Sequence, residues 1–399
     1  MTITTTAPTG ALTGLRLGLL AAALFVVGSN SLVIAGLLPA ITTSYGVPTE
    51  AVALSITWYS LVVAIAAPVV AVVFARASRT SLLAAGLAIA ATGTLLAALA
   101  PTVEWFNAAR ILTALGGATI VPTATAAAPA LVPAERRGRA LGVATLGFTL
   151  ASVIGTPAGT ALSQLIGWRG TLAALAGIGV VLIVPTLITI RAVPAPPALG
   201  FTARFSVLRN RRVLATLGTT LLMFAGFNLV YIFSANVTQD ATGGHATQLA
   251  ILLFTYGVFG ILGNWVAGRL VDRIGSRLIV AVGLLLQTAC FVALALGARN
   301  WLPAAVLVFA VWGVVSYGLP VPFQHRIVST AHEQAGLALS WYSTAMYLGV
   351  SLAPVLGALV LPAGITTLLV VAATVSIAAL ALFQTGYLHP TPRTTSPRQ

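Results

Sequence analysis

The sequence predicts an all-α polytopic membrane protein with twelve transmembrane helices arranged as two pseudo-symmetric six-helix bundles. Three observations lead there. First, 58% of the 399 residues are hydrophobic and only 7% are charged, whereas a soluble domain carries about a quarter charged residues. A soluble fold of this length needs a polar surface that so few charges cannot supply, so lipid is the solvent. Second, apolar stretches long enough to cross about 30 Å of hydrocarbon recur along the whole chain. Third, the two halves repeat each other at a nearly constant offset.

Residues 1–14 are polar and read as a cytoplasmic tail. The apolar segment after Arg16 spans without a convincing cleavage site, so it is a retained first helix and not a signal peptide. Six helices are predicted within 15–190, at 15–38, 51–74, 81–100, 104–128, 140–162 and 170–190. The stretch 191–212 holds Pro194, Pro196, Pro197 and five Arg, and reads as a cytoplasmic central loop. Six more helices follow within 213–386, at 213–236, 248–267, 278–297, 302–322, 337–360 and 364–386, and residues 387–399 form a second cytoplasmic tail.

The net charge of +14 comes from twenty Arg, no Lys and six acids. With the amino terminus inside, seventeen Arg fall in cytoplasmic segments, Arg169 and Arg299 fall outside, and Arg110 lies within the fourth helix. That bias sets the orientation, with both termini cytoplasmic, and explains the basic charge without nucleic acid. Arg-only basicity and abundant Ala suggest a bacterial source, and hence the inner membrane. The one Cys, Cys290, has no partner, and the four His (His245, His325, His332 and His389) have no metal-site spacing. The expectation is therefore no metal, no cofactor and no enzymatic centre. A nucleotide loop, a nucleophile with its base and paired intramembrane carboxylates are all missing from the sequence.

A shift of 197 residues places Ala71 on Gly268, Ala75 on Asp272, Arg76 on Arg273, Tyr59 on Tyr256 and Pro157 on Pro354. A shift of 198 places Gly28 on Gly226, Asn30 on Asn228, Glu135 on Glu333 and Gly138 on Gly336. Two bundles of common ancestry, with the solute between them, are the simplest account.

The stretch Gly268-Arg-Leu-Val-Asp272-Arg273-Ile-Gly275-Ser-Arg277 is similar to the signature loop between helices in the major facilitator superfamily. Gly36-Leu-Leu-Pro39, Arg110-Ile-Leu-Thr-Ala-Leu-Gly116 and Gly155-Thr-Pro157-Ala-Gly159-Thr with Gly167-Trp168-Arg169 resemble its drug:proton antiporter branch, particularly sugar and nucleoside exporters. The resemblance covers essentially the whole chain and implies the major facilitator fold. It also implies a monomeric secondary transporter that moves a small-molecule substrate across the lipid bilayer by alternating access, with protons as the coupling ion. An uncoupled facilitator or uptake permease of the same fold is the alternative. A non-transporting membrane sensor or a membrane-embedded enzyme is the alternative from another class.

In such transporters helices one, four, seven and ten line the cavity. The substrate-binding candidates are thus Asn30, Ser31, Arg110, Asn228, Tyr231, Trp312 and Tyr317, with Tyr59, Tyr256 and Trp341 from neighbouring helices. These amides, hydroxyls and aromatics suit a neutral, hydroxylated or aromatic solute. Arg110 is the one charge well inside a span, where a cation costs about 2.5–3.5 kcal/mol on insertion scales. It reads either as a cavity-facing group, as the resemblance implies, or as a helix-end Arg reaching outward.

The gating candidates are Gly155, Pro157 and Gly159 in the fifth helix, with Gly268, Asp272, Arg273 and Arg277 in the signature loop. Asp272 is expected to meet Arg136, Arg137 and Arg139 before the fifth helix as a cytoplasmic latch that favours the outward-facing state, while in the amino-terminal half Ala75 replaces the acid. Glu333 with Arg76 or Arg79 is the substitute considered there. All six acids (Glu50, Glu104, Glu135, Asp240, Asp272 and Glu333) fall at helix ends or loops, and Ser31 stands where similar exporters often carry an acid. A carboxylate proton relay is not visible.

Overall fold

The computed structural model describes residues 10–74, 76–190, 202–331 and 334–388, and every regular element among them is a helix. The first four are α1 (Gly10–Tyr45), α2 (Thr49–Val73), α3 (Arg79–Leu99) and α4 (Val103–Ala130). Gly46, at φ 65°, stops α1, and Pro48 precedes α2. Ser78 and Thr102 cap α3 and α4 by accepting from the amides of Ser81 and Trp105, which satisfies donors that a helix start leaves free.

The next helical stretch, Arg137–Thr189, has 53 residues, about 80 Å if straight and far more than one bilayer crossing. Gly167 breaks it with φ 71° and ψ 166°, a conformation that glycine adopts without a Cβ penalty. The stretch therefore makes two passes, α5 (137–166) and α6 (168–189). Then come α7 (Arg211–Ile232), two single turns at Ser234–Val237 and Gln239–Thr242, α8 (Ala246–Ile274), α9 (Ser276–Ala295), α10 (Leu302–Thr330), α11 (Ala335–Val360) and α12 (Ile365–Leu388). Eleven candidate spans, one of them double, give the twelve passes predicted.

Two predicted boundaries need correction. Gly268, Asp272 and Arg273 are not in a loop; they occupy the last two turns of α8, and the break to α9 is Gly275 alone, at φ 75°. Likewise α10 runs on to Thr330, so His325 and Arg326 are helical. Both helices reach past the hydrocarbon, where Arg side chains meet water and headgroups and no longer oppose the helix. Ala75, His332, Glu333 and His389 lie outside the described residues, as do most of the two tails and residues 191–201 of the central stretch; residues 202–209 form a 3-10 helix.

In the first bundle α3 packs on α4 and α6, α2 on α4, and α1 on α5; in the second α8 packs on α10, α7 on α11 and α12, and α9 on α12. The seams between bundles are α2 with α11 and α5 with α8, which exchange under the internal two-fold. An even number of passes puts both described ends at one end of the molecule, the terminal end. At the opposite, far end a single hydrophobic core runs through both bundles, from Leu37 and Phe106 to Tyr231, Leu253 and Trp312. At the terminal end each bundle has its own core, around Leu24 and Ile120 in one and Phe323 and Phe383 in the other. The bundles are closed against each other at the far end and parted at the terminal end.

Backbones touch where glycine allows it. A Cβ on Gly147 of α5 would strike the Ala21 carbonyl of α1, and at the symmetry-related crossing of α7 and α11 a Cβ on Gly349 would strike the Leu221 carbonyl. A side chain at Gly147 must push α1 away, at a typical overpacking cost of about 1–3 kcal/mol. Gly147→Val is expected to lower the apparent melting temperature of the detergent-solubilised protein. Gly142→Ala, one turn earlier with nothing within 4 Å, is expected to leave it unchanged or raised. Equal loss in both variants would remove the close-contact argument.

Candidate functional site

The first bundle centres on Arg110, which is 0% exposed. Its guanidinium donates to the backbone carbonyl of Asn30 on α1 at 2.6 Å and to Asn30 Oδ1 at 3.5 Å, and it stands 4.6 Å over the Tyr59 ring of α2. Thr94 of α3 donates to Asn30 Oδ1 at 2.8 Å, while Asn30 Nδ2 donates to the Val26 carbonyl. Arg110 of α4 thus touches α1 and α2 directly and α3 through Asn30. Backbone carbonyl, amide and π face replace part of the water that hydrocarbon lacks, while Arg110 Nε is buried without a partner among the described residues. Arg110 does not reach outward along the lipid face; it is built into the bundle, and Asn30 orients it.

The second bundle centres on aromatics. Tyr256 of α8 lies 4.8 Å from Trp312 and 5.6 Å from Tyr317, both on α10, and 5.3 Å from Tyr231 on α7, ring centre to ring centre. Phe291 and Phe309 close around Trp312 at 5.5 and 5.3 Å. The Tyr256 and Ser316 hydroxyls are buried beside each other, and the Trp312 indole N–H is buried without a hydrogen-bond partner among the described residues. A buried polar group left so costs about 1–3 kcal/mol. Asn228 repeats Asn30, donating to the carbonyl four residues back at 2.8 Å.

The two bundles meet at a short π-helical turn, Ala151–Gly155, inside α5. Pro157 has no amide hydrogen, so the carbonyl of Val153 loses its ordinary helical donor, and the chain widens until the Thr156 amide bonds to Ala151 instead. The Ser152 hydroxyl in that turn is bonded to the Tyr317 hydroxyl of the other bundle, and Gly257 of α8 packs on Val153. At the other seam Thr57 of α2 donates to the Ser351 carbonyl of α11 at 2.8 Å, and Tyr59 shares a small core with Tyr347.

A family model described as the Major Facilitator Superfamily matches residues 19–354. The chain belongs to that superfamily. It is 31% identical over 348 residues to the inner membrane transport protein YdhP of Escherichia coli O157:H7, covering 87% of this chain and 88% of that one. It is also 31% identical over 353 residues to a chloramphenicol resistance protein of Streptomyces lividans, covering 86% and 88%. Its fold matches a bacterial homolog of the human lysosomal transporter Spinster, solved in an inward-facing and occupied conformation, with a TM-score of 0.77, 16% identity, and 96% and 98% of the two chains covered. The major facilitator family is one of multi-pass transporters and not of enzymes.

In this major facilitator protein the predicted binding residues form two buried clusters, not one continuous lining. Asn30, Tyr59 and Arg110 make the first; Tyr231, Tyr256, Trp312 and Tyr317 make the second. Ser31 is half-buried beside the first. Trp341 joins neither cluster: it lies in the first turns of α11, 5.3 Å from Phe205, at the terminal rim. Of the gating set, Gly155 and Gly159 face α1, where a Cβ would strike Ser29 Oγ and Val33. Asp272, Arg273, Arg136 and Arg139 are exposed at the parted terminal end, Gly268 has open space around it, and Arg277 turns to α12. Sequence reading missed Thr94, Ser152, Thr57 and Ser351. Pro157 held the one clue, since a proline inside a helix demands a local rearrangement.

Arg110→Lys keeps the charge but loses the planar group that stacks on Tyr59 while bonding Asn30. It is expected to leave less than about a tenth of wild-type transport at comparable membrane abundance, the loss of about 1.4 kcal/mol or more of coupling. Tyr59→Phe keeps the ring and removes a hydroxyl that bonds nothing among the described residues, so transport is expected to persist. The reverse order of severity would shift the role from Arg110 to the Tyr59 hydroxyl.

Proposed function

We propose that the protein exports a small neutral, hydroxylated or aromatic organic solute by alternating access, in exchange for protons. The observation that carries this is the aromatic cluster at the α5–α8 seam, which contains no charge and buries an unpartnered Trp312 indole N–H beside the Tyr256 and Ser316 hydroxyls. Stacking faces with an unsatisfied donor suit a flat or hydroxylated neutral molecule better than an ion. Chloramphenicol, named for the Streptomyces lividans relative, is such a molecule. The Arg distribution supports cytoplasmic termini, and on that reading the parted terminal end is the inward-open mouth. Asn30 and Asn228 stand at equivalent places where the two halves share the solute, and the protein works as a monomer.

Closing the cytoplasmic mouth brings Asp272 toward Arg136, Arg137 and Arg139. All four are exposed in the inward-open arrangement, as an open latch requires. Asp272→Asn is expected to slow transport with little change in the amount of folded protein. Normal transport at normal abundance would dismiss the latch.

A second reading, uncoupled facilitation, is favoured by one observation: Glu50, Glu104, Glu135, Asp240 and Asp272 all sit at helix starts, ends or turns. Purified protein in liposomes, given chloramphenicol, a sugar and a nucleoside with and without a pH gradient, separates the two. A one-unit gradient is worth about 1.4 kcal/mol per proton, or about tenfold in accumulation at one-for-one exchange. Flux that equilibrates without accumulating, whatever the gradient, would leave the solute class standing and reject proton exchange.

A further inference from the structure

At the terminal end of the second bundle, two guanidinium groups from different helices stand over one tyrosine ring. Arg326 of α10 lies 3.9 Å and Arg277 of α9 lies 4.7 Å from the centre of Tyr387 on α12. The two cations are thus at most about 9 Å apart, near one Debye length at physiological salt. Arg326 also lies within electrostatic reach of Arg212 on α7. Each of the two is fixed by a single further bond to α12: Arg277 Nε donates to Gln384 Oε1 at 3.0 Å, and Arg326 Nη2 donates to the Gly386 carbonyl at 3.3 Å. A guanidinium has five N–H donors, so most remain free of protein acceptors among the described residues. Ser276 adds a hydroxyl 3.4 Å from that of Tyr387.

Like charges held this close destabilise each other unless an anion joins them. Two helices bring them to one ring, and contacts with Tyr387, Gln384 and the Gly386 carbonyl of α12 fix them there. The position tells which anion. Arg277 is in the first turn of α9 and Tyr387 in the last turn of α12, which is headgroup depth. Below Arg277, the outer face of α9 is bare of protein: Leu278, Val282 and Leu285 are 54%, 45% and 51% exposed. Neither α9 nor α12 takes part in the seams between bundles, so this flank borders lipid tails.

We propose that Arg277, Arg326 and the Tyr387 hydroxyl form a binding site for the phosphate of an anionic phospholipid headgroup, with the acyl chains lying along α9. The guanidinium fork matches phosphate oxygens in pairs, and basic pockets between helix ends are a recurrent form of lipid recognition. The site is separate from the solute clusters, so its occupancy does not depend on what the protein transports.

Native mass spectrometry of the purified full chain, delipidated and titrated with dioleoyl phosphatidylglycerol or dioleoyl phosphatidylcholine, tests this. Wild-type protein is expected to retain the anionic lipid about thirtyfold more strongly, as two basic side chains at about 1 kcal/mol each warrant. The double variant R277Q/R326Q is expected to lose that preference. R269Q is expected to keep it, because Arg269 stacks on Trp265 elsewhere on α8. If the double variant does not purify as a folded species, the exposed single change R277Q is expected to lose most of the preference. Equal retention of the two lipids by wild-type protein, or an equal loss in R269Q, would overturn the site. Displacement of phosphatidylglycerol by the same concentration of inorganic phosphate would overturn its assignment to lipid.

Discussion

In hydrocarbon, helices gain almost nothing from burying apolar surface against each other, since lipid tails are as apolar as leucine. What holds twelve passes together must then be close backbone approach and the few polar groups that cannot face lipid. Both are visible here. Glycines at the symmetry-related α1–α5 and α7–α11 crossings bring one backbone onto another's carbonyl. Asn30 and Asn228 tie off against their own helices, and Gln287 reaches Ser376 between α9 and α12 at 2.9 Å. Contacts of this kind are strong within a bundle and sparse between bundles, so each six-helix unit can move as a body.

The seams follow from the same constraint. Among the described residues the side-chain bonds between the bundles include Thr57 of α2 to the Ser351 carbonyl of α11, and Ser152 of α5 to Tyr317 of α10, beside the α5–α8 seam. Neither bond involves an ion. A seam joined by ionic bonds in a low dielectric would be costly to open, whereas two hydroxyl contacts of about 1 kcal/mol each are compatible with rocking. The π turn puts the α5 contact where the helix is already widened by Pro157, so the element that must flex is also the one that touches the partner bundle. The continuous far-end core and the divided terminal-end core then describe one end state of that motion.

Much of this was legible in the sequence, for particular reasons. Helix count follows from hydropathy because nothing else can cross a bilayer, and Gly167 before Trp168 and Arg169 marks a break that glycine alone tolerates at φ 71°. The repeat offset predicted that Tyr59 and Tyr256 hold corresponding places. Helix ends were less legible: Gly268 to Gly275 reads as a loop by composition, yet most of it is helix, because charges are tolerated once a helix passes the headgroups. The partner of Arg110 was not legible at all. Its shortest bond is to a backbone carbonyl, which every residue possesses and no spacing announces. The same holds for Thr57 on the Ser351 carbonyl.

The two halves have kept their architecture and diverged in charge, and that divergence shapes what can sit between them. A guanidinium does not give up its proton in proteins, so Arg110 cannot itself carry the coupling ion; it sets a permanent positive potential on one side of the solute path. Opposite it, the Tyr256, Trp312 and Tyr317 cluster offers π faces and hydroxyls with no formal charge. A solute carrying a unit positive charge about 10 Å from Arg110 would be repelled by about 1.7 kcal/mol at an effective dielectric constant of 20, with no carboxylate nearby to offset it. A neutral molecule with electron-rich oxygens at one end and an aromatic ring at the other meets attraction on both sides. On the proposed function, selection against cations follows from a missing acid as much as from the residues present, and the proposed solute class then rests on the same feature that leaves a proton without an intramembrane carboxylate among the described residues.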